Sequence, residues 1–473
     1  MYFPDKEENN DSVAINGKGG IFLNIIVVGC GKIGRTIIAC LVEEGHDVIA
    51  VDSDRKILTE VTNVYDVMGV CGNGADCETL ESADVDKAEL LIATTASDEL
   101  NMLSCFMAKR MGAKHTIARI RNPEYNDRSL GFMRQQLDIS MAINPEMLAA
   151  QDLFNILKLP AAVKVETFSR RTFEMIEVRL KNDTVLDGMK LWEMRQKFRE
   201  KFLVCVVQRG ENVFIPDGNF VLRGGDRIGL TASRAELQKL LKNLDLLQKQ
   251  AKNIMILGGS RTAFYLAKML TASGSNVKII EQDEQICKEL CLAIPKAVVI
   301  RGDGGHQELL LEEGLASLDA FVSLTGIDEE NILMSIFAMS HNVPKVIAKV
   351  SRDEMEPMAE KLGLDCVVSP RDIVSDVVVR YARALENSMG SRVETLYHLM
   401  DGKAEAQEFK VVSNSGITNI PLKELNIKKN ILIAGIIRER IPIIPTGDDR
   451  ILTGDRVIVV SERNRLQDLS DIV

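Results

Sequence analysis

One offset relates the two halves of this 473-residue chain. Advancing by 229 positions carries Asn24-Ile-Ile-Val-Val-Gly29 onto Asn253-Ile-Met-Ile-Leu-Gly258 and Val51-Asp52 onto Ile280-Glu281. The same step takes Pro216-Asp-Gly218 onto Pro445-Thr-Gly447, and Gly225-Asp-Arg227 onto Gly454-Asp-Arg456. With one residue more, Thr95, Asp98, Glu99 and Asn101 land on Thr325, Asp328, Glu329 and Asn331, and Arg119 on Lys349. Chance does not hold one register across a whole half, so the chain is a tandem duplication. Whatever architecture the first half adopts, the second repeats, and several small cores are expected rather than one large one.

Within a half, apolar runs alternate with helical patterns. The first half predicts strands at about 24–28, 47–52, 66–70, 89–93, 115–120 and 139–142. Helices are expected near 32–44, 54–62, 76–82 and 98–112. Runs that are apolar throughout, such as Ile25 to Val28 and Leu90 to Ala93, suit a parallel sheet buried on both faces. The βαβ order makes that sheet doubly wound. Asn144-Pro145 then opens a helix to about Leu157, with Asn as cap and Pro at the first helical position. Ser369-Pro370 opens its counterpart. Beyond it, Ala162 to Phe168, Thr172 to Leu180, Phe202 to Gln208 and Asp226 to Thr231 read as strands, with a helix near Ala235 to Leu244. Lys242 to Lys252, polar and without a buried pattern, reads as the linker.

The fold class expected is therefore α/β: two doubly wound Rossmann-type parallel-sheet domains, each followed by a small β-rich α+β domain. The boundaries expected are an extension at 1–22, a first Rossmann-type lobe at 23–143, and its crossover helix and small lobe at 144–245. A second Rossmann-type lobe follows at 252–368, with crossover helix and small lobe at 369–473. The second small domain proper begins near Arg392.

Gly29-Cys-Gly31-Lys-Ile-Gly34 has the G-x-G-x-x-G spacing, after a strand and before a helix. The first glycine permits the tight turn, the second lets backbone approach a pyrophosphate, and the third lets helix pack on strand. The helix N-terminus offers free N–H groups and a positive dipole end. Asp52 ends the next strand, 23 positions after Gly29. A carboxylate there accepts from ribose hydroxyls and repels a 2′-phosphate, which favours NAD or another adenine nucleotide over NADP. Thr95 and Ala96 follow the fourth strand at the carboxyl end of the sheet. Arg119 ends the fifth, where a cation meets phosphate or orders the crevice. Cys30 counts for its backbone, and Lys32 divides between a phosphate contact and a solvated face. Asp98 and Glu99 read as helix capping and dipole complement. The second copy, Gly258-Gly-Ser260-Arg-Thr-Ala263, departs from the pattern: Ser260 adds bulk where backbone meets phosphate, and Arg261 compensates by charge. Glu281 keeps the ribose acid and Lys349 the cation. Two non-equivalent nucleotide sites are expected.

Composition narrows the alternatives. Hydrophobic residues are 46% and charged residues 27%, a soluble globular balance. Aromatics are 5%, too few for a stacking groove, and the net charge of −10 comes without a basic run, so nucleic acid is not an expected partner. Nine scattered cysteines form no Cys-x-x-Cys pair and suit free thiols rather than a metal centre. No apolar run reaches the ~18–20 residues of a spanning helix. Residues 1–20 are polar and lack a signal-peptide core. Membrane association is expected only through a partner. A dehydrogenase needs an acid or base beside the nicotinamide. None of the five histidines (His46, His115, His306, His341, His398) recurs at a shared position in the two halves. Duplicated binding machinery without catalytic machinery points to a ligand sensor. An NAD-dependent oxidoreductase is the alternative. A transcription regulator would need a basic helix-turn-helix, and none is seen.

The combination resembles a known family. Two Rossmann copies with G-x-G-x-x-G, a strand-ending acid, the T-x-x-D-E-x-N segment Thr95 to Asn101, and Ile117-Ala-Arg-Ile-Arg121 resemble the RCK (KTN) domain, which regulates potassium conductance. The P-x-G and G-D-R turns match its small C-terminal domain. The tandem arrangement without a pore is similar to the peripheral subunit of Trk-type potassium uptake systems, over Asn24 to Val473. The resemblance implies a cytoplasmic protein, peripheral at the inner face of the cell membrane, that binds NAD(H) and, in some members, ATP or ADP. It implies a homo-oligomeric ring beneath a membrane potassium-translocating subunit. By family position, Gly29, Cys30, Gly31, Lys32, Ile33, Asp52, Thr95, Ala96 and Arg119 contact nucleotide, with Gly34 closing the motif. The same transfer gives Gly258, Gly259, Ser260, Arg261, Thr262, Glu281, Thr325, Gly326 and Lys349.

Overall fold

The computed structural model describes residues 22–473 apart from 124, 126, 160, 169–172, 183, 245, 247–249, 353, 365, 389–392, 401, 413–415, 463–465 and 467. The expected extension at 1–22 thus lies outside them except for Phe22, as do Thr172 and Arg392, the expected starts of one strand and of the second small domain.

Each half holds one parallel and one antiparallel sheet. In the first, β1 (Asn24–Val28), β2 (Asp47–Asp52), β3 (Met68–Cys71), β4 (Leu90–Ala93), β5 (His115–Arg119) and β6 (Met141–Ile143) lie in the order β3-β2-β1-β4-β5-β6, all parallel. The antiparallel sheet contains β7 (Lys164–Phe168), β8 (Phe173–Arg179), β9 (Phe202–Arg209), β10 (Asn212–Phe214) and β11 (Arg227–Ala232), ordered β10-β9-β11-β8-β7. The second half repeats both. Its parallel strands are β12 (Asn253–Leu257), β13 (Asn276–Glu281), β14 (Val298–Arg301), β15 (Ala320–Ser323), β16 (Lys345–Lys349) and β17 (Val367–Val368), ordered β14-β13-β12-β15-β16-β17. Its antiparallel strands are β18 (Val393–Leu399), β19 (Ala404–Lys410), β20 (Ile431–Arg438), β21 (Ile441–Ile443) and β22 (Arg456–Ser461), ordered β18-β19-β22-β20-β21. The reversal of strand order beside β1 and β12 opens a crevice at their carboxyl ends.

Two helices went unread in the first half. Asp127–Gln136 contains Gly131 and few apolar residues, so its period is weak, and Leu191–Lys197 is only two turns long. The linker also differs from expectation. The helix Arg234–Asn243 ends in it, and Leu244, Leu246 and Ala251 are buried, the first two in the first small domain and the third in the second parallel domain. The segment's few apolar residues carry no period, yet Leu244, Leu246 and Ala251 moor it at both ends.

The duplicated Gly-Asp-Arg turns explain themselves in the small domains. Asp226 and Asp455 are each 1% exposed, and each takes a two-pronged pair from an arginine on the neighbouring strand, Arg209 or Arg438. The turn arginines, Arg227 and Arg456, reach the buried glutamates Glu177 and Glu408. Buried charges are tolerated only when matched this way.

The halves are not strung end to end. The crossover helix Pro145–Lys158 of the first half buries Ala149, Ala150, Leu153, Ile156 and Leu157 among Ile254, Ile256, Leu266 and Leu270 of the second parallel domain. The crossover helix Pro370–Ser388 of the second half buries Val374, Val378, Ala382 and Leu385 among Ile25, Ile37, Ile38 and Leu41 of the first. The small sheets pack on each other as well, through Phe168, Phe173 and Cys205 against Leu399, Ala406 and Ile458. At Gly435 a Cβ would stand 2.5 Å from the Phe173 ring, so glycine sets that approach. Leu153→Ala empties a fully buried position between the halves. It is expected to cost about 2–5 kcal/mol and to lower the chain's urea midpoint, read by circular dichroism.

Candidate nucleotide-binding site

The glycine loop after β1 is built by close approach. Gly29 has φ +91°, and a Cβ there would lie 2.7 Å from the Thr95 nitrogen. A Cβ on Gly34 would overlap the Gly29 carbonyl at 1.9 Å, so only glycine lets the helix Lys32–Glu43 meet the turn. Thr94 Oγ1 donates to the same carbonyl at 2.9 Å and locks the loop to the end of β4. At Gly31 a Cβ meets nothing within 4 Å, so the space above it is open. The helix has no side-chain cap at Gly31, which leaves first-turn N–H groups for an anion.

Asp52 serves the loop directly. Its Oδ2 accepts from the Cys30 nitrogen at 2.7 Å and its Oδ1 from the Asp54 nitrogen at 2.8 Å. Glu281 does the same in the second half, accepting from Gly259 and Asp283 nitrogens. These carboxylates shape the turn, and their remaining lone pairs stay available. Burial, with Asp52 adding, pushes the Cys30 thiol up to about 12, so it is an inert packing group.

The repeated T-x-x-D-E-x-N segment is a staple. Asn101 Oδ1 accepts from the Thr95 nitrogen and hydroxyl, both at 2.7 Å, while its Nδ2 donates to Thr95 O and Arg119 O. Asn331 repeats this with Thr325 and Lys349. Asp98 and Glu99 lie in the first turn of the helix Asp98–Met111, as a dipole complement does, but neither is the cap: Ser97 caps the helix, and Asp98, buried, accepts from Arg121 and Asn122 nitrogens beyond β5. Asp328 does likewise for Ser351 and Arg352. The segment thus ties the ends of the fourth and fifth strands into one rigid rim.

A cavity of about 1060 Å³ lies above this rim, and both halves bound it. From the first half it is lined by Gly29, Gly31, Lys32, Ile33, Asp52, Thr95, Ala96 and Arg119. From the second come Ser260, Arg261, Thr262 and Lys349. Cys30 and Gly34 are buried behind the loop. Gly258, Gly259, Glu281, Thr325 and Gly326 are not among its lining residues. Sequence reasoning missed Arg121, Glu146 and Arg371 in the lining. Arg121 stood in the quoted I-A-R-I-R strand, but nothing in the sequence turned the two crossover helices' first turns toward it.

The charge in this cavity is lopsided. Its ionisable lining comprises six cations, Lys32, Arg119, Arg121, Arg261, Lys349 and Arg371, against two carboxylates, Asp52 and Glu146. Glu146 is paired with Arg121 at 2.8 Å. Burial lowers the Arg119 guanidinium from its ordinary value, and Arg121 and, across the halves, Arg261 lower it further. Its Nε is buried with no hydrogen-bond partner. Burial also lowers Lys349. Crowded, partly desolvated cations of this kind are relieved by an anion.

The second loop is closed where the first is open. Ser260 is the N-cap of Arg261–Ala272 and its hydroxyl accepts from the Ala263 nitrogen. The serine expected to obstruct phosphate by bulk thus also takes a first-turn N–H that the first loop leaves free. A Cβ on Gly259 would meet Ile286 and Glu281 at 2.7 and 2.9 Å, so that glycine is needed for packing.

The family model described as the TrkA-N domain matches residues 25–145 and 254–370, and that of the TrkA-C domain matches 175–245 and 406–473. A Trk system potassium uptake protein TrkA homolog of Archaeoglobus fulgidus is 30% identical over 450 residues, covering 95% of this chain and all of that protein. The Trk system potassium uptake protein TrkA of Haemophilus influenzae is 28% identical over 458 residues, covering 95% of this chain and 98% of its own. Among solved structures, the GsuK RCK domain aligns with a TM-score of 0.61 at 17% identity, covering 98% of this chain and 95% of that one. The GsuK channel bound to NAD aligns equally well over 98% of this chain and 79% of that one. Two TrkA-N and two TrkA-C matches, with a relative aligned from end to end, place this chain in the TrkA family of Trk system potassium uptake proteins.

Proposed function

We propose that the chain is the nucleotide-responsive regulatory subunit of a potassium uptake system. In this reading NAD(H), or another adenine nucleotide, is held in the cavity between the halves and shifts their arrangement, which sets K⁺ flux through a membrane partner. The observation that carries the reading is the cavity itself: six cations and two carboxylates, contributed by both halves. About 1060 Å³ is generous for a drug-sized ligand and suits a dinucleotide. Similar proteins are named potassium uptake proteins, and similarly folded ones are described as bound to NAD or to ADP.

A bound nucleotide supplies a ribose diol and a negatively charged pyrophosphate. The open backbone at Gly31 and the free N–H groups behind it receive the phosphates. Asp52 uses its spare lone pairs for ribose, with Thr95 and Ala96 along the rim. Arg119 directs its unpartnered Nε and its charge at the anion. Ser260, Arg261, Thr262 and Lys349 reach the same ligand from the second half, so one ligand contacts both. The two arrangements of the halves therefore differ in affinity for it, and that difference is the coupling, typically about 1–3 kcal/mol. Gly258, Gly259, Glu281, Thr325 and Gly326 frame a second site, which the Ser260 cap makes weaker or different in choice. The lining is built to hold charge rather than to move a proton, so the chain acts as a sensor, not a catalyst. It assembles as a ring of copies at the cytoplasmic face, joined to the membrane through its partner; among the described residues no helix is long and apolar enough to cross.

Two measurements on the full chain test this. Gly31→Leu places a side chain where no protein atom stands. It should fold normally and lose NAD binding in calorimetry; unchanged affinity would show the site to be misplaced. Arg261→Ala removes a cation belonging to the other half. It should weaken nucleotide binding by about tenfold or more, as loss of a charge-assisted contact does. An affinity equal to the parent's would mean that each lobe binds on its own.

A further inference from the structure

A second cavity, of about 490 Å³, is lined by the first parallel domain, both crossover helices, both small domains and the end of the second parallel domain. Glu44, at the C-terminal cap of the helix Lys32–Glu43, faces two residues of the β18–β19 hairpin there. His398 and Glu405 sit directly opposite each other in that antiparallel pair, which places their side chains on one face. One ligand atom from each of Glu44, His398 and Glu405 lies within 4.8 Å of the others, and His398 Nε2 stands 3.9 Å from a Glu405 oxygen.

What surrounds the three residues distinguishes them from an ordinary acidic patch. Asp376, on the crossover helix, holds His398 Nδ1 at 2.7 Å. That contact fixes the ring and leaves Nε2 toward the carboxylates, which is how a carboxylate orients a metal-binding histidine. Arg383 grips both oxygens of Glu44 at 2.6 and 2.8 Å and reaches Glu405 only at 3.5 Å. A carboxylate oxygen has a lone pair beyond the one an arginine uses, so Arg383 can stay as the outer partner of a ligating Glu44. Glu405 is 7% exposed, and its contacts to Arg383 and Gln407 are all 3.4–3.5 Å. It is a buried carboxylate held loosely. Within this group Glu44 and Glu405 face Arg383, while Asp376 also faces Arg380 and Lys164, and Lys164 donates to the His398 carbonyl at 2.8 Å and pairs with Glu166 at 3.2 Å.

We propose that Glu44, His398 and Glu405 bind a divalent cation of the zinc class, with Asp376 as positioning residue. Two carboxylates and an imidazole suit zinc and its transition-metal neighbours better than calcium or magnesium, which take all-oxygen sets. Ligand atoms now within 4.8 Å would draw in to about 3.4 Å apart for tetrahedral bonds of about 2.0–2.2 Å. All three residues line the cavity, which leaves room for water as a further ligand. The three ligands come from the first parallel domain and the second small domain, so the ion ties these together. The duplication does not repeat the site: in the matching hairpin register Glu174 stands opposite Thr167, and Ser273 is at the position related to Glu44 by the 229-residue step. This is a ligand separate from the nucleotide, and it does not depend on that assignment.

The test is calorimetric titration of the full chain with Zn²⁺. Exposed Cys71, Cys77 and Cys291 are first changed to serine, so that thiols do not contribute. One Zn²⁺ per chain is expected. Glu405→Gln and His398→Ala should each weaken binding at least tenfold, and Asp376→Asn by roughly 10–100-fold, with circular dichroism confirming the fold. No saturable binding to the serine-substituted parent overturns the proposal without recourse to the other variants. So does unchanged affinity in folded Glu405→Gln.

Discussion

The structure depends on an exchange. Each half sends its crossover helix into the other half's parallel domain, so neither domain completes its core alone. Leu153, Ile156 and Leu157 belong by sequence to the first half and by packing to the second. Val374, Val378 and Ala382 do the reverse. At about 25 cal/mol per Å² of apolar surface, such residues contribute too much to be left in water. The halves therefore fold as partners, and the facing small sheets reinforce the pairing.

The exchange also makes the candidate site. Swapped helices hold the two parallel sheets so that the first turn of each crossover helix, at Pro145 and Pro370, borders one cavity with the first glycine loop and the second loop's Arg261. Cations from both domains then crowd a common space. Arg119 feels Arg121 beside it and Arg261 opposite, and the second repulsion exists only because the domains face each other. An anion placed there would offset this repulsion between cations of the two halves.

Much of this was legible in the residues. The 229-residue register, the glycine spacing and the strand-ending acids located both parallel domains and the crevice. The repeated Thr, Asp and Asn marked a structural rim, although Asp98 anchors the following strand rather than capping its helix. Other features depend on tertiary placement and leave no local trace. An amphipathic helix shows that it will bury a face but not against which partner, so the exchange, and with it the lining role of Glu146 and Arg371, could not be read. Ser260 was legible as bulk, but its hydroxyl's service as a helix cap depends on local geometry. His398 and Glu44 are 354 positions apart, and only the swapped helix and the hairpin register bring them together.

The segment joining the halves adds a last point. Leu244 and Leu246 are moored in one domain and Ala251 in the next, with only a short stretch between. Two separate polypeptides pairing through exchanged helices would come apart on dilution. Here the partner is tethered at an effective concentration in the millimolar range or above. The pairing is thus independent of how much protein the cell makes. Each half is also free to accumulate changes the other need not share, as at Gly31 and Ser260, because the same two surfaces always meet.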